Sequence, residues 1–178
     1  MPYQRFIFDE TLKFPNSLKQ KMDELDAVAH KIIHESKKYG KTYIVTNAAE
    51  GWVELSARRF LPKTNLELKD DVVIISARSK YEQLYPKQYQ KWKVEAFLET
   101  RKDFEDDAIT NLVAMGDNMF EIEAAHVLGS KFKSSFIKTV KFRTSPSPNE
   151  LIKQLNLVLT QIEFIFHSPK NLTVRLLK

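Results

Sequence analysis

Two periods of hydrophobic residues alternate along this chain. Short, mainly apolar runs at residues 42–45, 71–75 and 112–115 each end at polar residues, which predicts strands buried on both faces. Between these runs, apolar residues recur every three or four positions and predict amphipathic helices. Strands that alternate with helices predict an α/β fold, with a mainly parallel sheet and helices on both of its faces.

The ends of the helices are marked by local signals. A long helix opens at Pro15, with Asn16 or Ser17 as its N-cap, and closes at Gly40 behind basic residues. A second helix is predicted to stop at Pro62. Further helices are predicted at residues 88–100, 118–129 and 149–166, a loop at 101–107, a turn at 145–148, an edge strand at 136–142, and short strands at 3–8 and 172–177.

The stretch 109–125, ITNLVAMGDNMFEIEAA, contains the most distinctive pattern. A buried strand stops at Gly116–Asp117, and a helical pattern follows, which is typical of a site at the carboxyl edge of a parallel sheet. Asp117 and Glu121 are separated by one helical turn, and two such carboxylates suit a hydrated Mg²⁺ ion. The alternative is structural, with Asp117 capping the helix and Glu121 on a solvated face.

Composition restricts the classes of protein to which this chain can belong. The 178 residues predict a single domain over 1–178, and the absence of cysteine excludes disulfides and thiolate chemistry. No apolar run is long enough to span a bilayer and no signal peptide is present, so we expect a cytoplasmic protein without a membrane partner. The net charge is +5, but no nucleic-acid-binding signature accompanies it, and we interpret the basic cluster as a solvated face (Lys131, Lys133, Lys138, Lys141 and Arg143).

Residues that follow parallel strands can meet in one crevice. These residues are Thr46 and Asn47, Ser76 and Arg78, and Gly116 and Asp117. Hydroxyl and amide groups there suit an anion such as phosphate, and Lys93, from a helix, could neutralise further negative charge. The alternative for Lys93 is an ordinary solvated lysine.

Three motifs occur in an order that resembles the haloacid dehalogenase superfamily: IVTNA, then WKVEAF, then MGDNMFE. The phrases IVTNAAEGWVELSARRFLP and VIISARSKYEQLYP resemble one eukaryotic subgroup. The resemblance implies a Rossmann-like three-layer α/β/α fold with a minimal or absent cap, Mg²⁺ as cofactor and a phosphorylated substrate. By match, Thr46 and the backbone of Asn47 would bind phosphoryl oxygens, and Lys93 would stabilise a phosphorylated intermediate. Asp117 would hold Mg²⁺, and Glu121 would assist the metal or position Lys93.

The first motif of that superfamily, Asp-x-Asp-x-Thr with a nucleophilic first Asp, is not matched. The nearest segment, IFDET, places Ile7 at the nucleophile and leaves Asp9 in the place of the general acid. We therefore expect a phosphohydrolase-type domain that keeps its Mg²⁺ and phosphate groups but is weakly active or inactive. The alternatives are a non-catalytic protein-interaction or regulatory domain on the same fold, and a working enzyme whose first motif lies upstream.

The missing motif also affects the expected fold. In the superfamily its strand lies in the middle of the sheet, so its loss would leave two half-sheets with unpaired edges. Either residues 3–8 of this chain or a strand exchanged with a second molecule in a homodimer could fill the gap. A direct pairing of the strand at 112–115 with the strand at 42–45 would refute this expectation.

Overall fold

The computed structural model describes residues 15–104 and 110–176. In these ranges helices and strands alternate, as the sequence predicts. The helices are α1 (Asn16–Tyr39), α2 (Trp52–Phe60), α3 (Pro62–Leu68), α4 (Ala77–Tyr81), α5 (Tyr89–Glu99), a 3-10 helix (Thr100–Asp103), α6 (Met119–Gly129) and α7 (Pro148–His167). The strands are β1 (Thr42–Thr46), β2 (Val72–Ser76), β3 (Thr110–Gly116), β4 (Ser135–Lys141) and β5 (Leu172–Arg175).

The strands form two parallel sheets instead of one. β1 pairs with β2, and β3, β4 and β5 pair in that order. Within the described residues β1 and β3 are not paired, so each of them has one open edge. The α/β class with parallel strands is therefore confirmed. Within the described residues, β3 does not pair with β1, which is the pairing that would have refuted a gap between the half-sheets. The predicted strand at residues 3–8 lies outside the described residues.

Each sheet has a hydrophobic core of its own. The first core packs Ile75, Ala77, Trp92 and Ala96 together, with Val45 of β1 at its margin. The second core joins β4 to α7 and also contacts α1 (Val140, Phe142, Val158 and Ile165, with Ile32 beside them). The two sheets are thus covered separately by apolar side chains.

Two pairs of helices connect the half-sheets. α5 packs on α6, and these helices contact β1 and β3 respectively. α1 packs on α7, and these likewise contact β1 and β3. Helices from the two halves therefore contact one another in two separate pairs. No helix in the described part of the chain has the length and apolar character needed to cross a membrane.

Several boundaries differ from the sequence-based prediction. The N-cap of α1 is Pro15, and neither Asn16 nor Ser17 caps it with a side chain. Pro62 ends one helix as predicted but also begins α3, because proline is well suited to the first helical position. Residues 77–81 form the short helix α4, capped by the Ser76 hydroxyl, and the predicted loop after residue 100 begins with a 3-10 turn.

The prediction of an edge strand at residues 136–142 is wrong. β4 is the middle strand of its sheet, with β3 on one side and β5 on the other. The alternation of apolar and basic residues suggested a solvated face, but Lys138 is buried, with 1% of its surface exposed. Its ammonium donates a hydrogen bond to the carbonyl of Phe166 at the end of α7, 2.7 Å away. A helix C-terminus can satisfy a cation that the sequence pattern assigns to water.

Candidate functional site

Lys93 lies at the carboxyl end of β1. It projects from α5, and only 5% of its surface is exposed. Its Nζ donates a 2.5 Å hydrogen bond to the carbonyl oxygen of Val45 and lies 3.1 Å from Oε1 of Glu121. Since a buried ammonium is costly unless it is paired, these two contacts explain how Lys93 can lie inside the protein. The alternative of a solvated lysine is wrong.

Glu121 comes from the other half of the molecule. One of its oxygens pairs with Lys93, and the second accepts from the backbone N–H of Asn118, 3.1 Å away. The Asn118 side chain in turn accepts from the N–H of Phe120, so the two residues form a capping box at the start of α6. Gly116 gives Glu121 its space, because a Cβ there would lie 2.7 Å from the Glu121 Cγ.

Thr46 and Asn47 directly follow Val45, so they lie beside the bound ammonium of Lys93. The Thr46 hydroxyl accepts from the N–H of Ala48 at 3.0 Å, which leaves its proton for a ligand. The Asn47 amide donates to the carbonyl of Tyr89 at 3.2 Å, and within the described residues its oxygen has no hydrogen-bond partner. The structure therefore brings Thr46, Asn47, Lys93 and Glu121 close together.

A cavity of about 130 Å³ opens next to Thr46, between the ends of β1 and β2. Ser76 contributes its hydroxyl to the wall, but this hydroxyl is already used, because it donates to the Ala48 carbonyl at 2.7 Å and accepts from the Ser79 N–H. Ser79 accepts in turn from the N–H of Glu50. The hydroxyls of the two serines thus brace the loop after β1. Arg78 pairs with Glu82, which directly follows the last residue of α4.

Asp117 lies apart from the helix that was expected to carry it. α6 begins at Met119 and is capped by Asn118, so Asp117 precedes the helix and does not cap it. The i, i+4 argument for pairing Asp117 with Glu121 therefore does not apply. Its backbone carbonyl accepts from the Lys141 ammonium at 2.8 Å and from the Thr144 hydroxyl at 3.1 Å, which fixes the turn.

The side chain of Asp117 is exposed, and within the described residues its carboxylate makes no hydrogen bond or ion pair. Glu121, in contrast, is committed to Lys93 and to the helix cap. One free carboxylate fits a Mg²⁺ ion that takes its remaining ligands from water and a bound phosphate. The other predicted residue, Asp9, lies outside the described residues.

The predicted basic face is divided by the fold. Lys131 and Lys133 are exposed, whereas Lys138 is buried and Lys141 binds backbone carbonyls. Sequence reasoning missed the part of Asn118 in the site, although the Asn-x-x-Glu spacing of a capping box was visible. It also missed the Val45 carbonyl, which no sequence signal identifies.

Comparison with known protein families, curated proteins and solved structures found no match.

Proposed function

We propose that this chain is a phosphate-binding domain of the haloacid dehalogenase type, which takes a phosphorylated ligand together with Mg²⁺ and hydrolyses it weakly or not at all. The observation that carries the proposal is the position of Lys93. Its buried ammonium lies beside Thr46 at one strand end and bonds to Glu121, which follows the other strand end at Gly116.

This geometry suits an anion more than an apolar ligand. The Thr46 hydroxyl and the backbone N–H of Asn47 are donors, and Lys93 holds a positive charge close to them. Mg²⁺ on the exposed Asp117 carboxylate would neutralise further charge on the phosphate. Weak hydrolysis follows from the resemblance, in which the place of the nucleophile corresponds to Ile7, and an isoleucine cannot attack phosphorus.

A second candidate function is a protein-interaction domain on the same fold. The open edges of β1 and β3 favour it, since unpaired strand edges are templates for another extended segment. Under this proposal the cluster around Lys93 is structural and binds neither metal nor phosphate.

Calorimetric titration with inorganic phosphate in the presence and absence of Mg²⁺ separates the two functions. The first predicts Mg²⁺-dependent binding that weakens at least about tenfold in Asp117→Asn, because a neutral amide is a poor Mg²⁺ ligand. The matched control is Glu163→Gln, which removes an exposed carboxylate from α7 and should leave binding unchanged. Absence of phosphate binding with or without Mg²⁺ would reject the first function in favour of the second.

Hydrolysis of an aryl phosphate tests the catalytic part of the proposal. We expect little or no Mg²⁺-dependent turnover by the protein or by Asp117→Ala. Turnover that Asp117→Ala abolishes would show that a working nucleophile is present, and the proposed lack of one would then be wrong.

A further inference from the structure

We propose that the phosphorylated ligand carries an aromatic ring, and that this ring lies in a second cavity beside the phosphate-binding residues. The inference rests on the proposed phosphate-binding function, which it extends by naming the class of ligand. The cavity has a volume of about 530 Å³ and is lined by residues around the start of α5 and by Phe120 of α6. Its volume falls within the range of about 300–1,000 Å³ that is usual for small-molecule sites.

This cavity adjoins the residues that we assign to phosphate. Tyr89 is one helical turn before Lys93 on α5, and its backbone carbonyl accepts the hydrogen bond from the Asn47 amide. Phe120 directly precedes Glu121, which pairs with Lys93. One helical turn is about 5.4 Å, so a group attached to a bound phosphate needs to extend only a short way to enter the cavity.

Both helices that line the cavity begin at the carboxyl ends of strands. α6 follows β3, and the hydrogen bond from Asn47 to the Tyr89 carbonyl places the start of α5 beside the end of β1. The Gln90 amide donates to the Glu123 carboxylate and so ties the two helices together. Open α/β folds bind their ligands on this side of the sheet, and the cavity therefore lies where the ligand is expected.

The walls of the cavity carry aromatic rings. Tyr89 and Phe120 supply the rings, and Val94 supplies an aliphatic surface. Tyr89 is 52% exposed, although it packs edge-on against Trp92 with 4.8 Å between the ring centroids. A ring that its neighbour already holds in place loses little conformational entropy when it contacts a ligand. This wall suits a flat aromatic group, which can stack on one ring and meet the other by its edge.

Two lysines in the lining favour an aromatic ring over an aliphatic chain. The Lys91 ammonium lies 3.8 Å from the centroid of the Tyr85 ring, so one lysine of this cavity already contacts an aromatic face. Lys87 is exposed, and within the part of the chain that the structure describes it makes no hydrogen bond, ion pair or ring contact. A cation is attracted to the face of an aromatic ring but not to an aliphatic group. The Lys87 ammonium is therefore available to a ring bound against Tyr89.

Calorimetric titration in the presence of Mg²⁺ tests the proposal with two pairs of ligands. One pair is phenyl phosphate and methyl phosphate, and the other is adenosine 5′-monophosphate and ribose 5-phosphate. Within a pair the phosphate is the same, so the ratio of the two affinities measures the contribution of the ring. In at least one pair we expect the aromatic member to bind at least about tenfold more tightly, because its ring buries apolar surface.

The larger ratio identifies how the ring is joined to the phosphate, either directly, as in an aryl ester, or through a sugar, as in a nucleotide. Ratios near one in both pairs, alongside binding of inorganic phosphate, would overturn this inference and leave the phosphate-binding function standing. Absence of binding by inorganic phosphate and by all four esters would overturn both.

Variants of Tyr89 locate the preference in the cavity. Tyr89→Ala should reduce the larger ratio at least about threefold, whereas Tyr89→Phe keeps the ring and should preserve the ratio. The matched control is Phe164→Ala, which removes an aromatic ring that is 58% exposed on α7 and should leave the ratio unchanged. A ratio that Tyr89→Ala does not reduce would place the ring elsewhere on the protein and would overturn the proposal.

Discussion

The two half-sheets differ in how far their strands are buried and in whether their helices begin with side-chain caps. In the half built on β3, β4 and β5, the middle strand is buried at Lys138, Thr139 and Val140, and both helices that begin there, α6 and α7, have capping boxes. In the half built on β1 and β2, no residue of β1 is fully buried, and only the short α4 starts with a side-chain cap of its own, whereas α1, α2, α3 and α5 do not. Local sequence thus defines the second half more firmly than the first.

Contacts between distant residues compensate in the first half. The carboxylate of Asp26, buried in α1, accepts from the backbone N–H groups of Lys63 and Thr64 and so caps α3 from another helix. Glu67 of α3 binds Lys37 of α1, and this ion pair lowers the pKa of the Glu67 carboxyl. Apart from the short α4, the first half therefore depends on packing between its elements, whereas α6 and α7 of the second half begin at signals of their own.

The largest expected effect comes from the ion pair that joins the halves. Lys93→Met leaves Glu121 partly buried without its cation, and breaking such a pair costs about 3–5 kcal/mol of unfolding free energy. Urea denaturation measures the loss. Lys19→Met, which removes an exposed lysine from α1, is the control and should change stability by less than about 0.5 kcal/mol.

A double variant sharpens this prediction. Lys93→Met combined with Glu121→Leu removes the stranded charge, so part of the lost stability should return. The remaining deficit in unfolding free energy should be about 1 kcal/mol, because the Asn118 N–H no longer has the Glu121 carboxylate as its acceptor in the capping box. A double variant that is less stable than Lys93→Met alone would contradict the interpretation of the pair as a buried salt bridge.

Lys138, the buried lysine of the second half, should make the unfolding free energy depend on pH. Burial lowers the pKa of Lys138 below its ordinary value of 10.5, and within the described residues no carboxylate pairs with it. The folded protein therefore loses this proton at a lower pH than the unfolded chain does. Between the lowered pKa and 10.5 the unfolded state binds more protons, so the unfolding free energy gained from this residue rises with pH.

Lys138→Met removes that dependence. At neutral pH we expect the variant to be more stable than the unsubstituted protein by about 1–2 kcal/mol, because no charge is then desolvated. The difference should shrink as the pH rises towards 10.5, and thermal denaturation across the alkaline range measures it. Lys131→Met, at an exposed position, should show no such trend. A constant difference at all pH values would contradict the assignment.

Local patterns predicted the elements well and their neighbours poorly. The run 112–115 and the repeats that define α7 were sufficient to place β3 and the last helix, because short-range periodicity determines them. The position of β4 inside its sheet was missed, since strand order depends on contacts between residues far apart in the chain. In the site, Lys93 was singled out by the resemblance in motif order, but its bond to a β1 carbonyl comes from packing alone.

The smallest expected effect tests the difference in local signals directly. Ser147 caps α7 by accepting from the N–H of Glu150, whose carboxylate accepts from the Ser147 N–H at 2.9 Å. Ser147→Ala should therefore lower the unfolding free energy by about 1 kcal/mol. Ser17, in the first turn of α1, makes no cap, so Ser17→Ala should change it by less than about 0.5 kcal/mol in the same denaturation experiment. Equal losses would mean that α1 also begins at a signal of its own, and the contrast between the two halves would then lie in their sheets and not in their helices.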